Sequence, residues 1–132
     1  RKLQTAFDAI CHGARFFATN ADRYCPVPGG GEPDAASMIA AIEACTNTRV
    51  EAVVGKPSRY MAEAILGLLQ MPPEAAIMTG DRLETDVLMG LDAGMAAALT
   101  LTGATSVETL AASGIRPTYV IRRLGDLLPD GV

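Results

Sequence analysis

The sequence predicts an α/β fold, with a parallel sheet layered by helices from about Val50 onward and the end of a separate α/β unit before it. Two observations predict this. Past Val50, short apolar strands alternate with single amphipathic helical patterns, which implies right-handed crossovers and a parallel sheet covered on both faces. Upstream, a Pro/Gly-rich stretch interrupts the chain, and the segments around it keep a different rhythm.

From Leu3 to Cys11, Leu3, Ala6, Phe7 and Ile10 recur at helical spacing, with Gly13 placed to end the helix. Arg15 to Thr19 reads as a short strand. Asn20 to Pro33 contains three prolines and three consecutive glycines and is predicted to be a loop. Asp34 is a good N-cap for a helix to about Cys45. Val50 to Val54 is a β-branched strand ending in Gly55-Lys56-Pro57. Ser58 can cap a helix that carries Met61, Ile65, Leu68 and Leu69 on one face, and Pro72-Pro73 ends it. Ala76 to Thr79 is the next strand, followed by Gly80-Asp81-Arg82-Leu83-Glu84-Thr85-Asp86 and a helix through about Ala93 that Gly94 terminates. Met95 to Leu101 is a third strand. Thr105 with Glu108 suggests a capping box for a helix to Ser113, and Thr118 to Ile121 is the last strand.

Of the 132 residues, 49% are hydrophobic and 20% charged, a globular balance. Aromatics are scarce at 5%, so Ala, Val, Leu, Ile and Met must build the core. A formal charge of -4 with no basic run argues against a nucleic-acid partner. No apolar stretch approaches the ~20 residues that span a bilayer, so no membrane segment is expected. Cys11, Cys25 and Cys45 form no CxxC pair, and the lone His12 cannot complete a zinc set; they read as reduced thiols of a cytoplasmic protein. The N-terminus lacks signal-peptide architecture and an initiator Met, which leads us to expect a chain cut from something longer.

In parallel α/β sheets, functional groups gather after the carboxyl ends of strands. Asp81 and Asp86 flank such a loop. Two carboxylates there repel unless a cation lies between them, and Mg²⁺ takes a few carboxylate oxygens plus waters. Equally, Asp86 could be a first-turn acid favoured by the helix dipole and Asp81 a turn former. Lys56, at the end of the preceding strand, could neutralise a phosphate or serve as a solvated surface lysine. A strand-end lysine followed by a strand-end acid pair suggests phosphoryl chemistry, where catalysis is mostly positioning and charge stabilisation.

Gly55-Lys56-Pro57-Ser58 with Tyr60-Met61, followed by Thr79-Gly80-Asp81-Arg82-Leu83-Glu84-Thr85-Asp86, resembles the haloacid-dehalogenase (HAD) superfamily. The likeness is closer to its p-nitrophenyl phosphatase, phosphoglycolate phosphatase and NagD-type branch. Phe17-Ala18-Thr19-Asn20-Ala21-Asp22 and the Asp34-led helix are similar to the second half of that branch's cap domain. The resemblance implies the second half of a Rossmann-like core over residues 53–132, preceded by the C-terminal part of an α/β cap over residues 1–52. It also implies roles. Lys56 matches the lysine that stabilises the nucleophilic carboxylate and the transferred phosphoryl group, Asp81 the principal Mg²⁺ ligand, and Asp86 the second acid of the metal site. Asn20 and Asp22 match a cap position that faces substrate.

The resemblance further implies an Asp-x-Asp strand that supplies the nucleophile and general acid. None occurs here: Asn20-Ala21-Asp22 imitates it locally, but an amide is not a nucleophile. The expectation is therefore the metal-binding half of an Mg²⁺-dependent phosphate-monoester hydrolase, inactive alone. Its partners would be a small phosphorylated substrate and the missing N-terminal half, with a homo-oligomer as a further option. The alternatives are a non-catalytic phosphate- or metal-binding α/β module, or a structural protein. A receiver-like module places its acids before its lysine; here Lys56 precedes both acids.

Overall fold

Helical spacing of Leu3, Ala6, Phe7 and Ile10 produces α1 (Lys2–Cys11), after which Gly13 turns the chain at a φ of 91°. The computed structural model describes residues 1–128 and divides into two compact units, Arg1–Gly55 and Lys56–Val132. In the first unit, β1 (Phe17–Ala18) pairs in parallel with β4 (Ala52–Val53). Bonds from Glu51 N–H to Phe16 O and from Val54 N–H to Ala18 O, both 2.8 Å, extend that pairing. Between these strands runs α2 (Ala35–Thr46), which begins where Asp34 accepts a bond from Ala35 N–H and ends at Asn47 in the left-handed region.

The stretch from Asn20 to Pro33, read as a loop, contains an antiparallel hairpin of β2 (Tyr24–Val27) and β3 (Gly30–Pro33). The prolines permit it because both strands of a two-stranded ribbon are edges, where a missing N–H can face outward. Pro28-Gly29 forms the two-residue turn, and Gly29 supplies the positive φ of 86° that a proline-led turn calls for. Proline and glycine here shape a hairpin instead of preventing one.

The second unit begins with α3 (Arg59–Leu69), capped by Ser58 Oγ, which accepts from Tyr60 N–H at 3.2 Å. The other elements are β5 (Ile77–Gly80), α4 (Leu88–Asp92), β6 (Ala96–Thr100), α5 (Val107–Ala112) and β7 (Tyr119–Ile121). The three strands form a parallel sheet in the order β5-β6-β7, with Met78 opposite Ala97 and Leu99 opposite Val120. Two clusters make the core. Leu83, Val87, Ala97 and Leu99 pack with Leu91, Leu101, Leu110 and Ile115, while Ala62, Met89 and Met95 pack with Ile65, Leu66 and Met78.

Several details depart from the sequence reading. Leu68, placed on the apolar face of α3, is 86% exposed, and Leu69 is also exposed. Ala62 and Leu66 take the buried stripe with Met61 and Ile65. The cap of α5 falls on Ser106, whose Oγ accepts from Thr109 N–H at 3.2 Å, so Thr105 is released for a different role. The helices also cover one face of the sheet. Right-handed crossovers that advance in one direction, β5 to β6 to β7, put every connecting helix on the same side. Ile77 and Tyr119, on the opposite face, are 44% and 53% exposed.

Close approach of α4 to the sheet depends on Gly90. A Cβ there would lie 2.7 Å from Met78 Cβ and 3.3 Å from Ala97 Cβ. Alanine is normally worth ~1 kcal/mol over glycine inside a helix. At Gly90 the overlap outweighs that, and Gly90→Ala should destabilise by about 1–3 kcal/mol in urea unfolding. Gly67, in α3 with nothing within 4 Å, is the control: Gly67→Ala should stabilise by about 0.5–1 kcal/mol. Equal signs for the two would contradict this packing.

In the first unit, the Glu43 carboxylate accepts from Val50 N–H at 2.9 Å and Arg49 at 2.8 Å. Those bonds, Val50's first, hold it below the ordinary glutamate value of 4.5. A lowered folded-state pKa contributes stability that is present above the unfolded value and lost as pH falls through the folded one. Thermal unfolding should therefore lose stability below about pH 4.5, and Glu43→Gln should flatten that acid limb.

Candidate active site

Strand β5 delivers Gly80 and Asp81 to the carboxyl edge of the sheet, the position where ligands collect in parallel α/β folds. The chain then makes a π-helical turn over Leu83–Val87 before α4 begins. Leu83 and Val87 are fully buried and anchor this turn, and its widened ring carries Asp86 back over Gly80. Such turns recur at functional sites. A Cβ on Gly80 would overlap the Asp86 side chain, so a residue without one is needed for this close approach.

Asp86 is only 3% exposed. Its Oδ2 accepts from Arg82 N–H at 3.1 Å and its Oδ1 from Lys56 Nζ at 2.7 Å. The lysine side chain is 49% exposed, so its ammonium joins a buried carboxylate to open solvent. The peptide bond from Lys56 to Pro57 is cis, and Ser58 starts α3 directly after it.

Asp81 has a different environment. Its carboxylate Oδ2 accepts from Ala104 N–H at 2.7 Å. Its main-chain oxygen accepts from Thr105 N–H at 3.1 Å and Thr105 Oγ1 at 2.6 Å. Among the described residues, no donor reaches Oδ1. The segment after β6, Gly103-Ala104-Thr105, thus grips Asp81, and Gly103 lies so close that a Cβ on it would overlap the carboxylate. Sequence reading gave Thr105 to the α5 cap and missed this grip. The available signal was a glycine flanked by small residues immediately after an apolar strand.

Lys56, Asp81 and Asp86 all fall in the second unit, with Lys56 paired to Asp86 and Asp81 in the same loop. Asn20 and Asp22 lie in the first unit, where Asn20 Oδ1 accepts from Asp22 N–H at 3.0 Å. No group of three or more His, Cys, Asp or Glu side chains is placed to hold a metal among the described residues. The chemistry of the set suits a hard cation that keeps most of its waters: among the described residues no donor reaches Asp81 Oδ1, and Asp86 adds a second carboxylate five residues on in the same loop.

A family model described as HAD-hydrolase-like matches residues 53–127, more than half of the chain. The chain belongs to the HAD-like hydrolases. Within that superfamily it groups with the p-nitrophenyl phosphatase and NagD-like branch. It is 44% identical over 125 residues to the sugar-phosphatase AraL of Bacillus subtilis (strain 168), covering 95% of this chain and 45% of that protein. The crystal structure of 4-nitrophenylphosphatase from Thermotoga maritima superposes with a TM-score of 0.85 at 38% identity, over 95% of this chain and 48% of that one. The ribonucleotide monophosphatase NagD of Escherichia coli (strain K12) is 32% identical over 118 residues, 89% of this chain and 46% of that protein. The chain therefore spans about half the length of the HAD relatives it matches.

The burial asymmetry of the Lys56–Asp86 pair has a measurable consequence. Asp86→Ala leaves Arg82 N–H and Lys56 without their acceptor inside the turn, and should cost about 1–3 kcal/mol in denaturant unfolding. Lys56→Met leaves the buried Asp86 carboxylate with Arg82 N–H but no cation, and the uncompensated charge should make its cost at least as large, about 3–5 kcal/mol. A smaller loss from Lys56→Met than from Asp86→Ala would contradict this geometry.

Proposed function

We propose that this chain supplies the lysine and the metal-binding acids of an Mg²⁺-dependent phosphate-monoester hydrolase. The observation that carries the reading is the bond from Lys56 Nζ to buried Asp86, in the loop that Asp81 opens at the carboxyl end of β5. Asp86 holds the ammonium by one N–H, leaving two others for an anionic ligand. Lys56 would then bind phosphoryl oxygens and offset charge developing on them. Mg²⁺ bound through Asp81 would supply further charge neutralisation and orientation of the phosphoryl group. Asp86 would act by fixing the lysine, which donates to its Oδ1, and by balancing the cation's charge.

The aspartyl nucleophile would come from outside these 132 residues, because no Asp-x-Asp occurs in them. Two features support a covering partner segment. The outer edge of β5 has no strand beside it among the described residues, and Ile77 and Tyr119, on the face away from the helices, are exposed. An unpaired parallel strand invites edge pairing, by the remainder of the enzyme or by a second copy. Asn20 and Asp22 are proposed to contact the substrate's non-phosphate part. The phosphatase names of the relatives support a small phosphorylated metabolite as substrate. The exposed thiols of Cys11, Cys25 and Cys45 suit a reducing, cytoplasmic setting.

The test is hydrolysis of p-nitrophenyl phosphate with Mg²⁺, by the chain alone and by a polypeptide carrying an Asp-x-Asp strand ahead of it. The chain alone should show no turnover. In the longer protein, Asp81→Asn and Lys56→Ala should each lower kcat by about a hundredfold or more. Turnover by the chain alone, or full kcat in Asp81→Asn, would contradict the proposal.

A further inference from the structure

The second unit holds a cavity that the phosphatase reading does not use. It has a volume of about 340 Å³ and lies between α3 and α4, with none of Lys56, Asp81 and Asp86 in its wall. Its floor is apolar: Ala62 and Met89 are 3% and 1% exposed, and Leu66 is partly buried beside them. Its rim is charged. Glu63 lines it from the middle of α3, Asp92 from the end of α4, and Arg59 from the first turn of α3. All three rim residues are exposed, and neither carboxylate has a hydrogen bond or ion pair among the described residues. The Arg59 guanidinium lies 5.3 Å from the centroid of the Tyr60 ring instead of pairing with Glu63 one turn on.

Asp92 is the more informative acid. Helix α4 continues the π-helical turn, and Asp92 is its last residue, where the helix dipole disfavours a negative charge. No basic side chain occupies that last turn to offset it. Two acids against one cation leave the rim net negative over an apolar floor, and small-ligand sites are concave, mostly apolar and oriented by a few polar groups. No third His, Cys, Asp or Glu joins Glu63 and Asp92 to hold a metal among the described residues, so the missing cation is matched to an organic ligand. We propose that this cavity binds a small amphiphilic amine, its apolar body on Ala62, Leu66 and Met89 and its ammonium at Glu63 and Asp92. Such a ligand supplies the positive charge that the end of α4 lacks, and the floor takes its alkyl chain out of water. An apolar anion would meet two like charges at the same rim. The site is independent of the phosphatase reading, because it shares no residue with it.

Amide-shift titration of the 132-residue chain with hexylamine tests this, with hexanol, hexanoate and ethylamine beside it. Hexylamine should give saturable shifts centred on residues 59–66 and 89–93. Hexanol keeps the body without the charge and should bind about five- to tenfold more weakly, the difference that two exposed ion pairs can supply. Ethylamine keeps the charge without the body and should bind at least about tenfold more weakly. Hexanoate should bind more weakly than hexanol. Glu63→Gln combined with Asp92→Asn alters exposed side chains that make no bond within the described residues, so the fold should be kept while hexylamine falls to the level of hexanol. Arg59→Gln removes the rim's cation and should tighten hexylamine binding. Equal binding of hexylamine and hexanol, or hexylamine binding unchanged in the double variant, would overturn the ammonium site. Equal binding of hexylamine and ethylamine would reduce the contact to surface ion pairing and overturn the cavity's part in it. Shifts centred away from α3 and α4, or no saturable shift, would overturn the proposal as a whole.

Discussion

A carboxylate taken out of water must be met by donors, and at Asp86 that requirement organises the second unit. Burial at 3% exposure is possible because Arg82 N–H and Lys56 Nζ each take one oxygen. Meeting it constrains three places at once. Residue 80 must lack a Cβ, the turn after β5 must widen into a π-helical ring, and Lys56 must end the segment that leads into α3. Isolated buried ion pairs seldom contribute net stability, because desolvation offsets the attraction. Leaving the Lys56 side chain half exposed limits that cost and keeps an ammonium available at the surface.

The packing beneath the site serves the same end. Alanines at 96, 97 and 98 make β6 thin, and Gly90 lets α4 lie directly on Met78 and Ala97. Leu83 and Val87, fully buried, then hold the π-helical turn from below, so Asp86 is fixed by apolar contacts as well as by its hydrogen bonds. The scarcity of aromatics is consistent with this construction: small side chains allow close layers, and the methionines Met89, Met95 and Met78 fill the irregular spaces left between α3 and the sheet.

Much of this was legible in the sequence. Asp34 and Ser58 announce α2 and α3 because an N-cap is a local interaction, decided by one side chain and a nearby N–H. The strand-end positions of Lys56, Asp81 and Asp86 follow from the alternation of apolar runs with helices. What failed depended on distance or on competition. Asn20 to Pro33 was misread because two-stranded ribbons tolerate proline where larger sheets do not. Leu68 was misplaced because the start of α3's buried stripe is set by Met89 and Met95, far along the chain. Thr105 could cap α5 on local grounds, but Ser106 does so, and the bond to Asp81 twenty-four residues away claims the threonine.

The central claim is that Asp81, Asp86 and Lys56 form one cation- and phosphate-binding edge, gripped by the loop after β6. Paramagnetic broadening by Mn²⁺, a stand-in for Mg²⁺, tests it directly in the 132-residue chain. The account predicts signal loss centred on the amides of Asp81–Asp86 and Gly103–Thr105, abolished by Asp81→Ala. Broadening centred instead on Glu63 and Asp92, which line the 340 Å³ cavity between α3 and α4, would contradict it.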